Sequence, residues 1–172
     1  MEIKVSRRSL DRFRRTARKR YPIEYLEILL GHVTDQTIEI VKSAPIPHTS
    51  TLTSEDMGGC EYEVKDLEII KLKAQSEGLE YLGSVHSHCG YSINNPSESD
   101  NEDAIDTGEK IFGIYSFVKN QKSGRIENGR LCFYEPQRPI VLTNGSSHET
   151  KDPNLDKPVA VGVGRKGNSR KR

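Results

Sequence analysis

The sequence predicts an α/β domain, a mixed sheet flanked by helices, over residues 1–143. Two observations carry that expectation. Stretches with apolar residues every three or four positions alternate with stretches of strand-like composition. Pro, Gly and polar turn residues punctuate the stretches at each change of period. A third observation narrows the class: no apolar run approaches the ~18 residues of a membrane-spanning helix, so a membrane protein is not expected.

In chain order, residues 2–5 suggest at most a brief strand. Ser6 to Tyr21 reads as a helix, because Leu10, Phe13, Ala17 and Tyr21 form one apolar stripe and Ser6 or Ser9 is placed to cap its start. Its arginines fall mostly off that stripe and read as a solvated face, with a nucleic-acid or acidic-partner surface as the alternative. Pro22 ends this helix, since the residue before proline disfavours helical angles. Tyr25 to Val33, rich in Leu and Ile, reads as a strand. Asp35-Gln36 is a turn, and Thr37 to Ser43 alternates as a second strand. Ala44 to Gly59, with two prolines and a Gly-Gly pair, reads as a loop long enough to suggest function.

Tyr62 to Glu77 then places Val64, Leu67, Ile70 and Ala74 on one helical face, and Gly78 stops it. Leu79 to His88 is a strand, Cys89 to Pro96 a polar loop, and Ser97 to Gly108 a short acidic helix. Ile111 to Val118 and Gly129 to Tyr134 are strands with a turn around Lys122-Ser123-Gly124 between them. Arg138 to Leu142 is a candidate last strand. From residue 144 to 172 the chain is basic and carries few apolar residues, so a disordered tail is expected there.

Charge is unevenly placed. The whole chain carries a net charge of +1. Residues 1–20 hold nine basic and two acidic groups and residues 145–172 hold seven and three, which leaves −10 on residues 21–144. An acidic body lies between two basic ends, and by long-range attraction it would draw basic peptide tails. Three cysteines, odd in number, give no disulfide framework, and the amino-terminus has no apolar signal-like stretch. A reducing, cytoplasmic compartment is the expectation.

The chemistry concentrates at His86-Ser87-His88, at the end of a predicted strand. Residues two apart on a strand share a face, so both imidazoles project together and can share one metal ion. Asp100 follows in the first turn of the acidic helix and could complete a His-His-Asp set, leaving a fourth tetrahedral position for water. Ser97-x-x-Asp100 also reads as a helix start, with Ser97 as N-cap, and the two readings are compatible. His32 and His48 have no partners at metal spacing, and His148 lies in the predicted tail. Cys89 tempts a nucleophile or soft-ligand reading that nothing else in the chain requires. Cys60 is expected in a loop near the site entrance. The absence of a Cys-x-x-Cys pair argues against a structural zinc site.

His86-Ser87-His88 followed by Pro96-Ser97-Glu98-Ser99-Asp100 resembles the JAMM motif of the MPN/JAB zinc metallopeptidases. Pro22-Ile23-Glu24 leading into Ile28-Leu29-Leu30-Gly31 is similar to the family's upstream Pro-x-Glu strand. The resemblance covers residues 6–135 and implies the JAB/MPN fold, with cytidine-deaminase-like layering. It implies that His86, His88 and Asp100 hold one Zn2+, that Glu24 moves the proton of the attacking water, and that Ser97 donates to the developing oxyanion. Glu27 is the nearest competitor for the role of Glu24, but its offset from Pro22 does not fit the pattern. Two departures stand out: Cys89 replaces the family's proline, and one extra residue lies between Gly90 and Asn95.

The implied activity is hydrolysis of a peptide or isopeptide bond. The substrate would be a ubiquitin-like protein or another peptide with an extended C-terminal tail, and the chain resembles the prokaryotic or phage branch. The competing readings are a non-catalytic MPN-like scaffold, and nucleic-acid or acidic-partner binding through the basic termini. In the second, phosphate binding would show steep salt dependence without metal dependence.

Overall fold

The computed structural model describes residues 2–5, 7–51, 58–90, 95–137 and 161–162. Its elements follow as β1 (Glu2–Val5), α1 (Arg7–Arg20), β2 (Leu26–Val33), β3 (Thr37–Pro45), β4 (His48–Thr51), β5 (Gly59–Tyr62), α2 (Val64–Ser76), β6 (Glu80–Cys89), α3 (Glu98–Asp106), β7 (Phe112–Lys119), β8 (Ile126–Tyr134) and β9 (Val161–Gly162). Seven strands form one mixed sheet in the order β8-β7-β6-β2-β3-β1-β9, and β4 and β5 form a separate hairpin. The β2–β3, β2–β6 and β7–β8 pairs are antiparallel, while β6–β7 and β1–β3 are parallel.

The layering follows from the two periods of the sequence. Leu10, Phe13 and Ala17 of α1 come from one helical stripe and are buried against one sheet face with Tyr25, Leu29, Tyr115 and Phe117. Leu26, Ile28 and Leu30 take the alternate positions of β2 and pack with Leu67 and Ala74 of α2 on the other face. Ala104 of α3 covers Phe112, Ile114, Cys132 and Tyr134 further along that face. Helices therefore cover both faces of the mixed sheet. Phe13, Phe117 and Phe133 are fully buried, and each such burial contributes roughly 1.5–3 kcal/mol.

The predicted α/β class is the observed one, and two local expectations change. The stretch read as a loop from Ala44 to Gly59 contains the end of β3, all of β4 and the start of β5. His48-Thr49-Ser50-Thr51 is small and polar, so its strand pairing with Gly59–Tyr62 has no alternating apolar signature. In α2, Leu67 and Ala74 are buried and Ile70 packs beside them, but Val64 is 73% exposed because it opens the helix at the edge of the layer. Gly31 lies within β2, at an irregularity in its pairing with β3.

Ser6, the side chain of Ser9, the candidate strand Arg138–Leu142 and nearly all of the predicted tail lie outside the described residues. Val161 and Gly162, within that tail, pair with Ile3 and Lys4 along β1. No helix among the described residues is long and apolar enough to cross a membrane.

Candidate metal centre

Pairing of β6 with β2 sets the histidines. Leu26 lies opposite His86, and the ladder continues where Ser87 N–H donates to the Tyr25 carbonyl and Tyr25 N–H donates to Ser87 Oγ, each at 3.0 Å. Ser87 thus faces the α1 side, and His86 and His88 share the other face with Leu26. The two Nε2 atoms lie 2.9 Å apart. Asp100 meets them with Oδ1 3.0 Å from His86 Nε2 and Oδ2 3.5 Å from His88 Nε2. The three ligand atoms all fall within 4.8 Å of one another.

The start of α3 fixes Asp100. Ser97 is the N-cap in extended conformation, and its Oγ accepts the Asp100 N–H at 3.1 Å. Asp100 Oδ2 accepts the Ser97 N–H at 2.6 Å, which completes a reciprocal capping box. Both readings of Ser97-x-x-Asp100 therefore meet in one carboxylate, whose two oxygens serve the helix end and the histidine pair together. Burial alone would raise the Asp100 pKa, but the contacts with His86 and His88 outweigh it and hold the carboxyl well below its usual range. For His86 burial works the other way, and Asp100, Glu109 and Asp103 overcome it to raise the imidazole pKa.

Glu24 lines the same cavity as His86, His88 and Asp100 and is 5% exposed. Burial pushes its pKa from 4.5 up to about 7; His88 opposes the rise and Asp100 adds to it. Its backbone carbonyl accepts the Ser50 hydroxyl at 2.7 Å, so the hairpin strand β4 holds the segment before β2 in place. Gly58, directly before β5 at the same end of the hairpin, packs against the side chain. Its φ is +119°, and a Cβ there would stand 2.9 Å from the Thr51 carbonyl and 3.2 Å from Glu24 Cγ. Glu27 is buried at the opposite face of the sheet, where it accepts from Arg12 and from the Tyr25 hydroxyl, each at 2.8 Å. It supports α1 and takes no part in the site.

Cys89 also points away from the histidines, into the core beneath α1, with Sγ 3.7 Å from the Ile23 carbonyl. Burial pushes its pKa up to about 11, which leaves it an inert thiol. Cys60 lies on β5 and lines the cavity, and burial raises its thiol to about 12. His48 is bound to the Ile46 carbonyl at 2.9 Å.

The cavity measures about 810 Å3. It also takes in Glu61, Asp103, Asp106 and Glu109, which sequence reasoning did not single out. Glu109 sits between the end of α3 and β7, and no local spacing relates it to the histidines. Gly58 was legible only as half of a Gly-Gly pair.

The imidazole nitrogens stand 2.9 Å apart, and each has an Asp100 oxygen within 3.0–3.5 Å, Oδ1 for His86 and Oδ2 for His88, close to the spacing of about 3.3 Å between ligands on a tetrahedral zinc with bonds of about 2.0–2.1 Å. Fold and site together define a mixed α/β domain with a two-histidine, one-carboxylate vertex beside a buried glutamate. Residues 6–128 match the family of prokaryotic homologues of the JAB domain, and the chain belongs to that family.

A 71-residue stretch is 41% identical to the COP9 signalosome complex subunit 5 of Eremothecium gossypii, covering 40% of this chain and 16% of that protein. The chain thus matches only a small part of that relative's length. Among solved structures, a protein from Salinibacter ruber is 24% identical, with a TM-score of 0.50 over 84% of this chain and 97% of the other. A JAB1/MPN domain protein from Archaeoglobus fulgidus is 18% identical, with a TM-score of 0.44 over 79% of this chain and 88% of the other.

Proposed function

We propose that this chain is a zinc-dependent peptidase or isopeptidase of the cytoplasm. The observation that carries the reading is the convergence of His86, His88 and Asp100 beside the buried Glu24 in one cavity. His86 and His88 would hold the ion through Nε2 and Asp100 through its carboxylate. Zinc bound there supplies Lewis acidity, which acidifies a water and polarises a carbonyl.

Glu24 takes the proton of the attacking water and later delivers one to the leaving amine. Its burial sets the pKa near neutrality, where a carboxylate can do both. Ser97 Oγ accepts the Asp100 N–H at the helix cap and lies 2.9 Å from Ser99 Oγ; with Ser99 as the donor of that pair, the Ser97 proton is available to the developing oxyanion. The β4–β5 hairpin and the start of α3 flank the cavity, leaving room for an extended tail such as that of a ubiquitin-like protein.

The test is zinc analysis of purified protein together with cleavage of ubiquitin-like fusions joined through Gly-Gly. Wild type and Glu24→Gln are both expected to hold about one zinc, and only wild type to cut. Wild-type protein without stoichiometric zinc would overturn the reading. Zinc retained with no fusion cleaved would remove the ubiquitin-like substrate and leave the enzyme class to be decided between another peptide substrate and a non-catalytic scaffold.

A further inference from the structure

We propose that the cavity contains a subsite for a positively charged substrate side chain, a Lys or Arg near the scissile bond, built on Glu109 with Asp103 and Asp106 beside it. The proposal rests on the peptidase reading and names the substrate class for it.

Glu109 leaves the end of α3 with its N–H on the Ala104 carbonyl at 2.8 Å, and its side chain turns onto β6. Oε1 accepts the Tyr81 hydroxyl at 3.1 Å and Oε2 accepts the Ser84 hydroxyl at 3.2 Å. Between those two residues β6 gives up its side chain. A Cβ on Gly83, whose φ is +145°, would stand 2.9 Å from Oε2 and 1.9 Å from the Ile111 carbonyl. The carboxylate is thus placed by Tyr81, Gly83 and Ser84 of one strand, and its side-chain hydrogen-bond donors are both neutral. The neighbouring cation, Lys110, pairs with Glu80 at 2.8 Å instead. Burial raises Glu109 to about 6, so it is mostly ionised at neutral pH. A largely buried charge of this kind is costly unless a counter-charge arrives.

The surroundings make the imbalance larger. Asp103 and Asp106 sit in the last turn of α3, which carries no basic residue, and a carboxylate at that end opposes the helix dipole. Burial raises the Asp103 pKa, and the nearby Asp100 and Asp106 add to the rise. Among the described residues no Lys or Arg lines the cavity. A divalent ion at the histidine pair would offset the charges of Asp100 and Glu24. Glu109, Asp103 and Asp106 would still have no Lys or Arg partner among the described residues of the cavity. Leu26, Tyr62 and Phe112 also line the cavity and offer apolar wall for the methylene stem of a long cationic side chain.

The test uses zinc-loaded Glu24→Gln protein and short labelled peptides ending in Gly-Gly. A single Lys is walked along the peptide, each matched by its neutral isostere norleucine, and binding is read by fluorescence anisotropy. At one position or more, Lys is expected to bind about tenfold tighter than norleucine, with the preference shrinking as salt rises. Adding Glu109→Gln should abolish the preference. Asp103→Asn, at an exposed position that the core does not need, should reduce it severalfold.

Equal binding of both peptide sets at every position would overturn the subsite, as would a preference that survives both substitutions. Zinc content and fusion cleavage by wild type are measured alongside. A Lys preference without zinc or cleavage would keep the subsite and remove the peptidase reading. Cleavage without a Lys preference would do the reverse.

Discussion

The cavity and the outer face of α1 both concentrate charge, with opposite signs and opposite treatment. On α1, guanidinium groups are fastened to the body one by one. Arg12 bonds the buried Glu27, Arg18 donates to the Tyr115 hydroxyl at 2.7 Å, Arg14 and Arg18 lie over the Tyr115 ring, and Arg20 lies over Tyr25. Several cations of a helix that reads as a merely solvated face are therefore structural contacts, aided by aromatic rings. In the cavity the carboxylates have no Lys or Arg among the described lining residues, and two of them, Glu24 and Glu109, are raised in pKa chiefly by burial. Charge that is paired supports the fold, and charge left buried and unpaired marks where something else binds.

The strongest way to break this contrast is at Asp100. Asp100→Ala should lose zinc and reduce cleavage by at least about a thousandfold, and it should also cost about 1 kcal/mol through the lost cap. Asp100→Asn retains a side-chain oxygen for the cap and should lose the metal with a smaller change in stability. Zinc stoichiometry and thermal unfolding, measured on both variants, separate the two duties.

Next in size is Glu24→Gln, expected to lower cleavage by about 10²–10⁴-fold with zinc retained. It also carries a pH signature in metal-free protein. Glu24 is raised to about 7 in the fold, so between about pH 4.5 and 7 the native state binds more protons than the unfolded chain. Its contribution is favourable below that window and fades as pH rises through it. Wild type should therefore lose about 2–3 kcal/mol relative to Glu24→Gln between pH 4 and pH 8, read by denaturant melts across pH. Equal pH slopes for the two proteins would show that Glu24 is not held in a desolvated place.

Smaller effects sharpen the comparison. Gly58→Ala should slow cleavage by about 10–100-fold while leaving zinc content unchanged, because the new methyl presses on the Thr51 carbonyl and on Glu24 and not on His86, His88 or Asp100. On the other side, Arg12→Ala should cost about 1–3 kcal/mol by leaving Glu27 buried and unpaired, a value lowered because Arg12 is half exposed. The rate at permissive temperature should not change. A loss of rate in Arg12→Ala, with stability intact, would erase the distinction between the two regions.

The sequence disclosed what depends on local period and spacing. His86 and His88 were legible because strand geometry makes every second residue share a face, and Asp100 because a helix start has a signature of its own. The main strands were legible from their apolar content. The β4–β5 hairpin was not, since a run of His, Thr and Ser looks like a loop until its partner is known. Glu109 was illegible for a related reason. Its importance comes from Tyr81, Ser84 and Gly83, far away in sequence, and only the packing of α3's exit on β6 brings them together. Cys89 was legible as a departure from the family pattern, while its harmlessness was visible only once its side chain was found beneath α1.

The shared carboxylate of Asp100 has a consequence for how this site tolerates change. Its position is set from downstream, by the first turn of its own helix, and not by the length of chain connecting it to the histidines. A change in the length of that connection therefore need not displace the carboxylate. That independence lets the connection between β6 and Ser97 vary in length while Asp100 keeps its place beside the histidines.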